Sequence, residues 1–207
     1  MQVKGIEEFL QAAEIDIPNS NFGKASNRHW FGPNAGENAK GRGHPIMFGF
    51  DTAQDFGPFP DGGGYPIHFL NKAYDTLGVT NPDQVLHLCS GSMKRGITVD
   101  IRAETNPTIV ADARHTPLDD NTFDWIMIDP PYSKEYAKNL YGTEAVYPTN
   151  GELLREATRL LKPNGRVGLL HFQVPMFRKP LKLISVYGIT TGLGYNIRAW
   201  TVLEKQV

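Results

Sequence analysis

The most specific chemistry in the chain lies in four consecutive residues, Asp129, Pro130, Pro131 and Tyr132, which follow the apolar run of residues 123–128. Each proline fixes its own φ and lacks a backbone N–H, so the Pro130 carbonyl is left to accept a hydrogen bond from outside the turn. Asp129 adds a second acceptor and Tyr132 an aromatic face. Two acceptors beside a ring suit a planar base bearing an NH2 group. Acceptors on its N–H bonds orient the nitrogen lone pair toward an electrophile. Asp129, Pro130, Pro131 and Tyr132 are therefore the expected catalytic residues.

Other apolar runs end in residues of similar promise. Residues 85–88 run into Cys89, Ser90, Gly91 and Ser92; residues 97–99 run into Asp100; residues 108–111 run into Asp112. A carboxylate ending a second strand can accept from the two hydroxyls of a ribose. One at the end of a third can accept from the amino group of an adenine. Gly91 and its small neighbours let the backbone approach a ligand closely. Together these residues describe an adenosine-type cofactor lying along one edge of a sheet.

The elements that must hold these residues alternate. Short apolar runs are expected as strands at residues 85–88, 97–101, 108–111, 123–128 and 166–172, with helices at 66–77 and 150–161. Pro66 suits a first helical turn, and Lys162, Pro163, Asn164 and Gly165 form a helix stop. Continuous apolar strands indicate a parallel sheet buried on both faces. Residues 181–190 and 197–203 flank a turn with Gly192 and Gly194 and read as a terminal antiparallel pair. The expected fold is α/β, Rossmann-like and mostly parallel with a C-terminal antiparallel hairpin. In such sheets ligands bind beyond the C-terminal strand ends. Residues 1–64 are expected as a loop-rich segment, with a short helix at 6–13 and a short strand at 46–50, on a single domain whose core is 65–207.

The 207 residues fit one domain, and 40% hydrophobic against 21% charged residues favours a packed core over disorder. A formal net charge of -1 excludes nucleic-acid binding by bulk charge, so such contact must come from local patches. The single cysteine, Cys89, excludes an internal disulfide and suits a reducing cytoplasm. No signal peptide, membrane span or metal site is expected.

Asp-Pro-Pro-Tyr after an apolar strand resembles the catalytic motif of class I S-adenosylmethionine-dependent amino-methyltransferases that act on adenine or cytosine in nucleic acids. The resemblance runs over residues 64–203. It implies S-adenosylmethionine as cofactor. Its loop would be Cys89, Ser90, Gly91 and Ser92, its ribose acid Asp100 followed by Ile101, and its adenine neighbours Asp112 and Ala113, with Tyr65 and Pro66 closing over its amino-acid end. The chain departs from the family at His87, where an acid is usual, and at Met93, where glycine is usual. The eight residues from Cys89 to Gly96 are too few for the usual first crossover helix, so a loop is expected there. A separate target-recognition domain is not expected within these 207 residues.

The implied reaction is direct transfer of a methyl group to an exocyclic amine, with no cysteine nucleophile. Adenine in DNA is the expected target, and RNA or a silent cofactor-binding role the alternatives. A protein glutamine methyltransferase would favour Asn at the position of Asp129. For gripping the polymer, Lys24, Arg28, Lys40 and Arg42 stand against Glu37 alone, a net +3 interleaved with Phe22, Trp30 and Phe31. Lys134 and Lys138 after the motif, and Arg178, Lys179 and Lys182 further on, are further basic candidates. A homodimer is compatible with the sequence but not read from it.

Overall fold

The computed structural model describes residues 29–30, 46–50, 65, 69–141, 147–189 and 196–207. Candidate residues Lys24, Arg28, Lys40, Arg42 and Pro66, and the helix expected at 6–13, lie outside the described residues. At Trp30 only the backbone is described.

The strands are β1 (His29–Trp30), β2 (Ile46–Phe50), β3 (Leu86–Leu88), β4 (Ile97–Asp100), β5 (Ile109–Val110), β6 (Phe123–Ile128), β7 (Leu161–His171), β8 (Leu181–Ile189) and β9 (Arg198–Lys205). They form one sheet in the order β1-β2-β8-β9-β7-β6-β3-β4-β5. Neighbours among β3 to β7 are parallel, whereas β9 is antiparallel to both β7 and β8. This is the mostly parallel sheet with a C-terminal antiparallel pair expected from the sequence. The N-terminal segment extends it, because β2 adds in parallel to β8 and β1 pairs back on β2.

Helices α1 (Phe69–Leu77), α2 (Lys134–Tyr141) and α3 (Asn150–Leu160) complete the described regular structure, with two short 3-10 turns. Period-2 alternation divides the strand side chains between the two sheet faces. Val85, Met127, Leu170, Trp200 and Val202 meet Phe69, Ala73 and Leu77 of α1 on one face. Leu86, Leu88, Ile126, Ile128 and Leu169 meet Leu153, Leu154, Ala157 and Leu160 of α3 on the other. Thr149 and Glu152 close a capping box that starts α3: Glu152 N–H donates to Thr149 Oγ1, and Thr149 N–H donates to Glu152 Oε2.

One detail departs from expectation. The sequence places the start of the fifth core strand at Arg166, after a helix stop. In the structure Leu161 already pairs with Phe123, residues 162–165 loop out with Asn164 at φ 64°, and pairing resumes at Arg166. The helix expected from residue 66 is described from Phe69. The crossover from β3 to β4 is, as expected, a loop without a helix.

His87 sits at the centre of the α1 face. It is fully buried, and neither ring nitrogen has a hydrogen-bond partner among the described residues. Tyr65 and Tyr74 meet it edge-on at 5.7 and 6.4 Å. Burial pushes its pKa down to about 4, so it is neutral in the folded protein. Because the folded pKa lies below the ordinary value near 6.5, its stability contribution is present above about pH 6.5 and is lost as pH falls toward 4. His87→Leu is therefore expected to hold or slightly raise the melting temperature at pH 7 and to blunt its fall between pH 6.5 and 4. An unchanged acid profile in thermal melts would mean that another group governs it.

Candidate active site

The chain builds outward from β3 in two directions, to β4 and β5 on one side and to β6 and β7 on the other. The reversal opens a crevice beyond the C-terminal ends of β3 and β6, the place where open α/β sheets bind ligands. Cys89 follows β3 and Asp129 follows β6, so the two lie side by side across that crevice. Asp129 N–H extends the ladder by donating to the Leu88 carbonyl at 3.4 Å.

The loop after β3 turns sharply. Cys89 has φ 56° and Gly91 φ 52°, both left-handed, and Cys89 holds this conformation without glycine's freedom. Ser90 N–H donates to Val99 O at 3.0 Å, and Gly91 N–H donates to Asp100 Oδ2 at 2.7 Å. These bonds tie the loop to the end of β4. The Cys89 thiol is kept protonated by burial and by Asp100, Asp129 and Asp112 nearby, so it does not act as a nucleophile. Met93 packs against the α1-face cluster.

Asp100 and Asp112 share one geometry. Arg102 N–H and Nε donate to Asp100 Oδ1 at 2.9 and 3.1 Å. Arg114 likewise donates its N–H and Nε to Asp112 Oδ1 at 2.9 and 3.0 Å, and its Nη2 to Oδ2. The Arg114 side chain holds the Asp112 carboxyl below its ordinary value. Glu156 on α3 accepts from Thr116 N–H at 2.8 Å and from its hydroxyl at 2.7 Å, fixing the segment after Asp112 to the helix. Between the two acids, Ile101 is 38% exposed, an apolar surface at the strand ends.

At the Asp129–Tyr132 turn, Tyr132 O–H donates to Asp129 Oδ1 at 2.8 Å, and no described residue donates to Oδ2. Burial pushes the Asp129 carboxyl up to about 6, against the pull of the Tyr132 hydrogen bond and the Arg198 charge. The Tyr132 ring is not an open platform. Phe172 lies tilted against it at 4.6 Å, His171 meets it edge-on at 5.6 Å, and the Arg198 guanidinium sits over it at 5.2 Å. His171 Nδ1 accepts from Gln173 N–H at 3.2 Å, which puts the ring proton on Nε2. His171, Phe172 and Arg198 were not singled out in the sequence. His171 ends β7 and Phe172 directly follows it, so the strand-end rule that found Asp129 applies to them too. Arg198 carried no signal of its own.

The residues present fit the adenosine cofactor that the resemblance implies. The buried Ser90 Oγ and Tyr65 hydroxyl have no hydrogen-bond partner among the described residues, which leaves both available to a polar ligand group. Burial first, and then Asp129, Cys89, Tyr74 and Tyr132, raise the Tyr65 phenol well above its ordinary value, so it is a neutral donor beside Asp129. Asp100 fits on one condition. A carboxylate offers about four acceptor positions, three are taken, and a ribose diol asks for two. The most easily released donor is Arg102 Nε. Arg102→Ala is therefore expected to bind S-adenosylhomocysteine about fivefold tighter in calorimetry, the loss of one competing hydrogen bond. Weaker binding would mean that Arg102 supports the ligand instead of competing with it.

Ser92 is half-buried and Ala113 buried beside these groups, while Lys134 is exposed at the start of α2. Among the described residues no cluster of His, Cys, Asp and Glu could hold a metal ion, and no helix is long and apolar enough to cross a membrane.

No family model and no curated protein matches the sequence. Solved structures do match. TrmN from Thermus thermophilus superposes with a TM-score of 0.50 at 21% identity, covering 69% of this chain and 50% of that one. The chain thus spans half the length of that protein. A putative methyltransferase of Haloferax volcanii, solved in complex with the Trm112 methyltransferase activator, gives 0.47 at 15% identity, covering 68% and 89%. A SAM-dependent methyltransferase from Aquifex aeolicus gives 0.44 at 14%, covering 65% and 88%. The likeness to TrmN establishes the fold as the Rossmann-like class I methyltransferase sheet.

Proposed function

We propose that the protein is an S-adenosylmethionine-dependent methyltransferase that methylates an exocyclic amino group of a nucleobase. The observation that carries this most directly is Asp129: an acceptor oxygen with no described donor, at the switch point of the sheet, beside Pro130 and Tyr132. When bound, S-adenosylmethionine supplies a methyl group on a sulfonium centre. Asp112, Ala113 and Ile101 hold its adenine, Asp100 its ribose, and Ser90, Gly91 and Tyr65 its amino-acid end.

Tyr132 O–H fixes Oδ1 of Asp129, which aims Oδ2 at the acceptor amine. Asp129 Oδ2 and the Pro130 carbonyl each accept one N–H of that amine and leave its lone pair facing the methyl group. The methylated nitrogen then sheds a proton. A carboxylate with a pKa about 6 accepts it more readily than an ordinary one. The chain contributes positioning and polarisation. The target base packs against the Tyr132–Phe172 pair, and a base within a duplex must be flipped out to do so.

Adenine in DNA is the finer target we infer from the motif. The test is incubation with methyl-labelled S-adenosylmethionine and, separately, DNA, total RNA and protein, followed by digestion and identification of the labelled product. N6-methyladenine from DNA supports the finer assignment, and an amino-methylated base from RNA redirects it. Cofactor binding with no transfer to either polymer rejects the enzyme.

A further inference from the structure

A second feature lies along the crossover from β7 to β8. The two strands run parallel, since both are antiparallel to β9. Parallel strands are normally joined through a helix. Here residues 172–180 join them as an extended strap without one. Between the strap and α3 lies a cavity of about 460 Å³, within the range of small-ligand pockets. Leu154 and Phe177 floor it, and Arg155, Arg178 and Lys179 line it with no carboxylate among the lining residues. All three cations are exposed, and their side chains make no ion pair among the described residues.

The strap connects this cavity to the acceptor site. It begins at Phe172, against Tyr132, and reaches the cavity at Met176, a span of at most about 14 Å for an extended chain. Along it Val174 is 50% and Met176 89% exposed, while Pro175 is buried. A row of exposed apolar side chains beside unpaired cations fits a strand with flat bases and a phosphate backbone. Apolar and aromatic surfaces accept bases of any sequence, and the cations take the phosphates. An overall charge of -1 makes such a local cluster the means by which this chain can hold a polyanion.

We propose that the acceptor nucleic acid runs along the strap, its bases against Phe172, Val174 and Met176 and its phosphates on Arg155, Arg178 and Lys179. This rests on the nucleobase-acceptor function above and names the surface that carries the flanking nucleotides.

The experiment is direct binding, independent of turnover. Fluorescein-labelled single-stranded DNA and RNA of mixed sequence, about 12 nucleotides long, are titrated by anisotropy over a range of salt. In the variant Arg155→Gln/Arg178→Gln/Lys179→Gln, the slope of log K against log salt is expected to fall by about 2 for the polymer that binds, from three contacts worth about 0.7 each. Affinity at low salt is expected to fall at least about tenfold, with S-adenosylhomocysteine affinity unchanged. The substituted side chains are exposed, so folding should persist, and thermal melts check this. Met176→Ala is expected to weaken binding without changing the slope. A wild-type slope in the triple variant overturns the proposal, and if wild-type methyl transfer to the polymer is seen alongside it, the enzyme assignment still stands. Loss of slope without any transfer supports the track and rejects the enzyme assignment. Binding of polyglutamate but neither oligonucleotide overturns the track.

Discussion

Replacing Asp129 by alanine is expected to lower the methyl-transfer rate by about a thousandfold, the effect of losing a polarising group aimed at the reacting atom. Cofactor affinity should stay within about threefold, because the role proposed for Asp129 is toward the acceptor and not the cofactor. Loss of both together, measured by single-turnover transfer and by calorimetry, would place Asp129 in cofactor binding. The same residue sets the pH dependence. Its carboxyl is pushed up to about 6 by burial, and only the ionised form presents two acceptor oxygens. The rate should therefore climb through pH 6 and level off above about pH 7. A flat profile from pH 5 to 8 would remove Asp129 from the chemistry.

Stability should move the other way. The folded pKa of Asp129 is raised above its ordinary value of 3.8, so the protonated form favours folding. That contribution is full below pH 3.8 and is lost as pH rises through about 6. Ionised at pH 7, Asp129 costs about 2 kcal/mol, allowing for its partial contact with solvent. Asp129→Asn should then be more stable and less active than the wild type at pH 7. Opposite signs on the two measurements mark a side chain kept for function at the expense of the fold.

The second large effect lies away from the site. A Cβ on Gly168 would stand 2.0 Å from the Trp200 ring, which is fully buried. Trp200 cannot retreat, because its Nε1–H donates to Thr76 Oγ1 on α1 at 2.8 Å and Phe69 meets it edge-on at 5.0 Å. Gly168→Ala is expected to cost about 3 kcal/mol or more, a fall of roughly 10 °C in melting temperature for a domain of this size. A loss under about 2 °C would show that α1 shifts freely. A stable variant would instead be informative for transfer, since α1 packs beside Tyr65.

Some of this was legible in the sequence. Asp100, Asp112 and Asp129 each ended an apolar run, and burial on both faces makes such runs continuous, so the strand ends could be placed without coordinates. The arginine two residues after Asp100 and after Asp112 is equally visible in the sequence, but its pairing with the acid is not. Their pairing shows that a strand-end carboxylate here is already partly satisfied. The contact of Gly168, Trp200 and Thr76 was not legible, since Thr76 and Trp200 lie 124 positions apart. No local pattern encodes that the indole crosses a glycine one strand over. Tyr132 was expected as an open stacking face. The neighbours that cover it come from β7 and β9, brought near by sheet order and not by sequence distance.

Sheet order also sets a timetable. β9 lies between β7 and β8 and is hydrogen-bonded to both. It is also made after both of them. While the chain is still being made, β7 and β8 each carry an edge of unpaired N–H and C=O groups facing a gap that Arg198–Lys205 will fill. The sheet thus cannot be zipped in the order in which it is synthesised. The indole that pins α1 arrives in that same strand, so the crevice holding Asp129 takes its finished shape only after Arg198–Lys205 has been made.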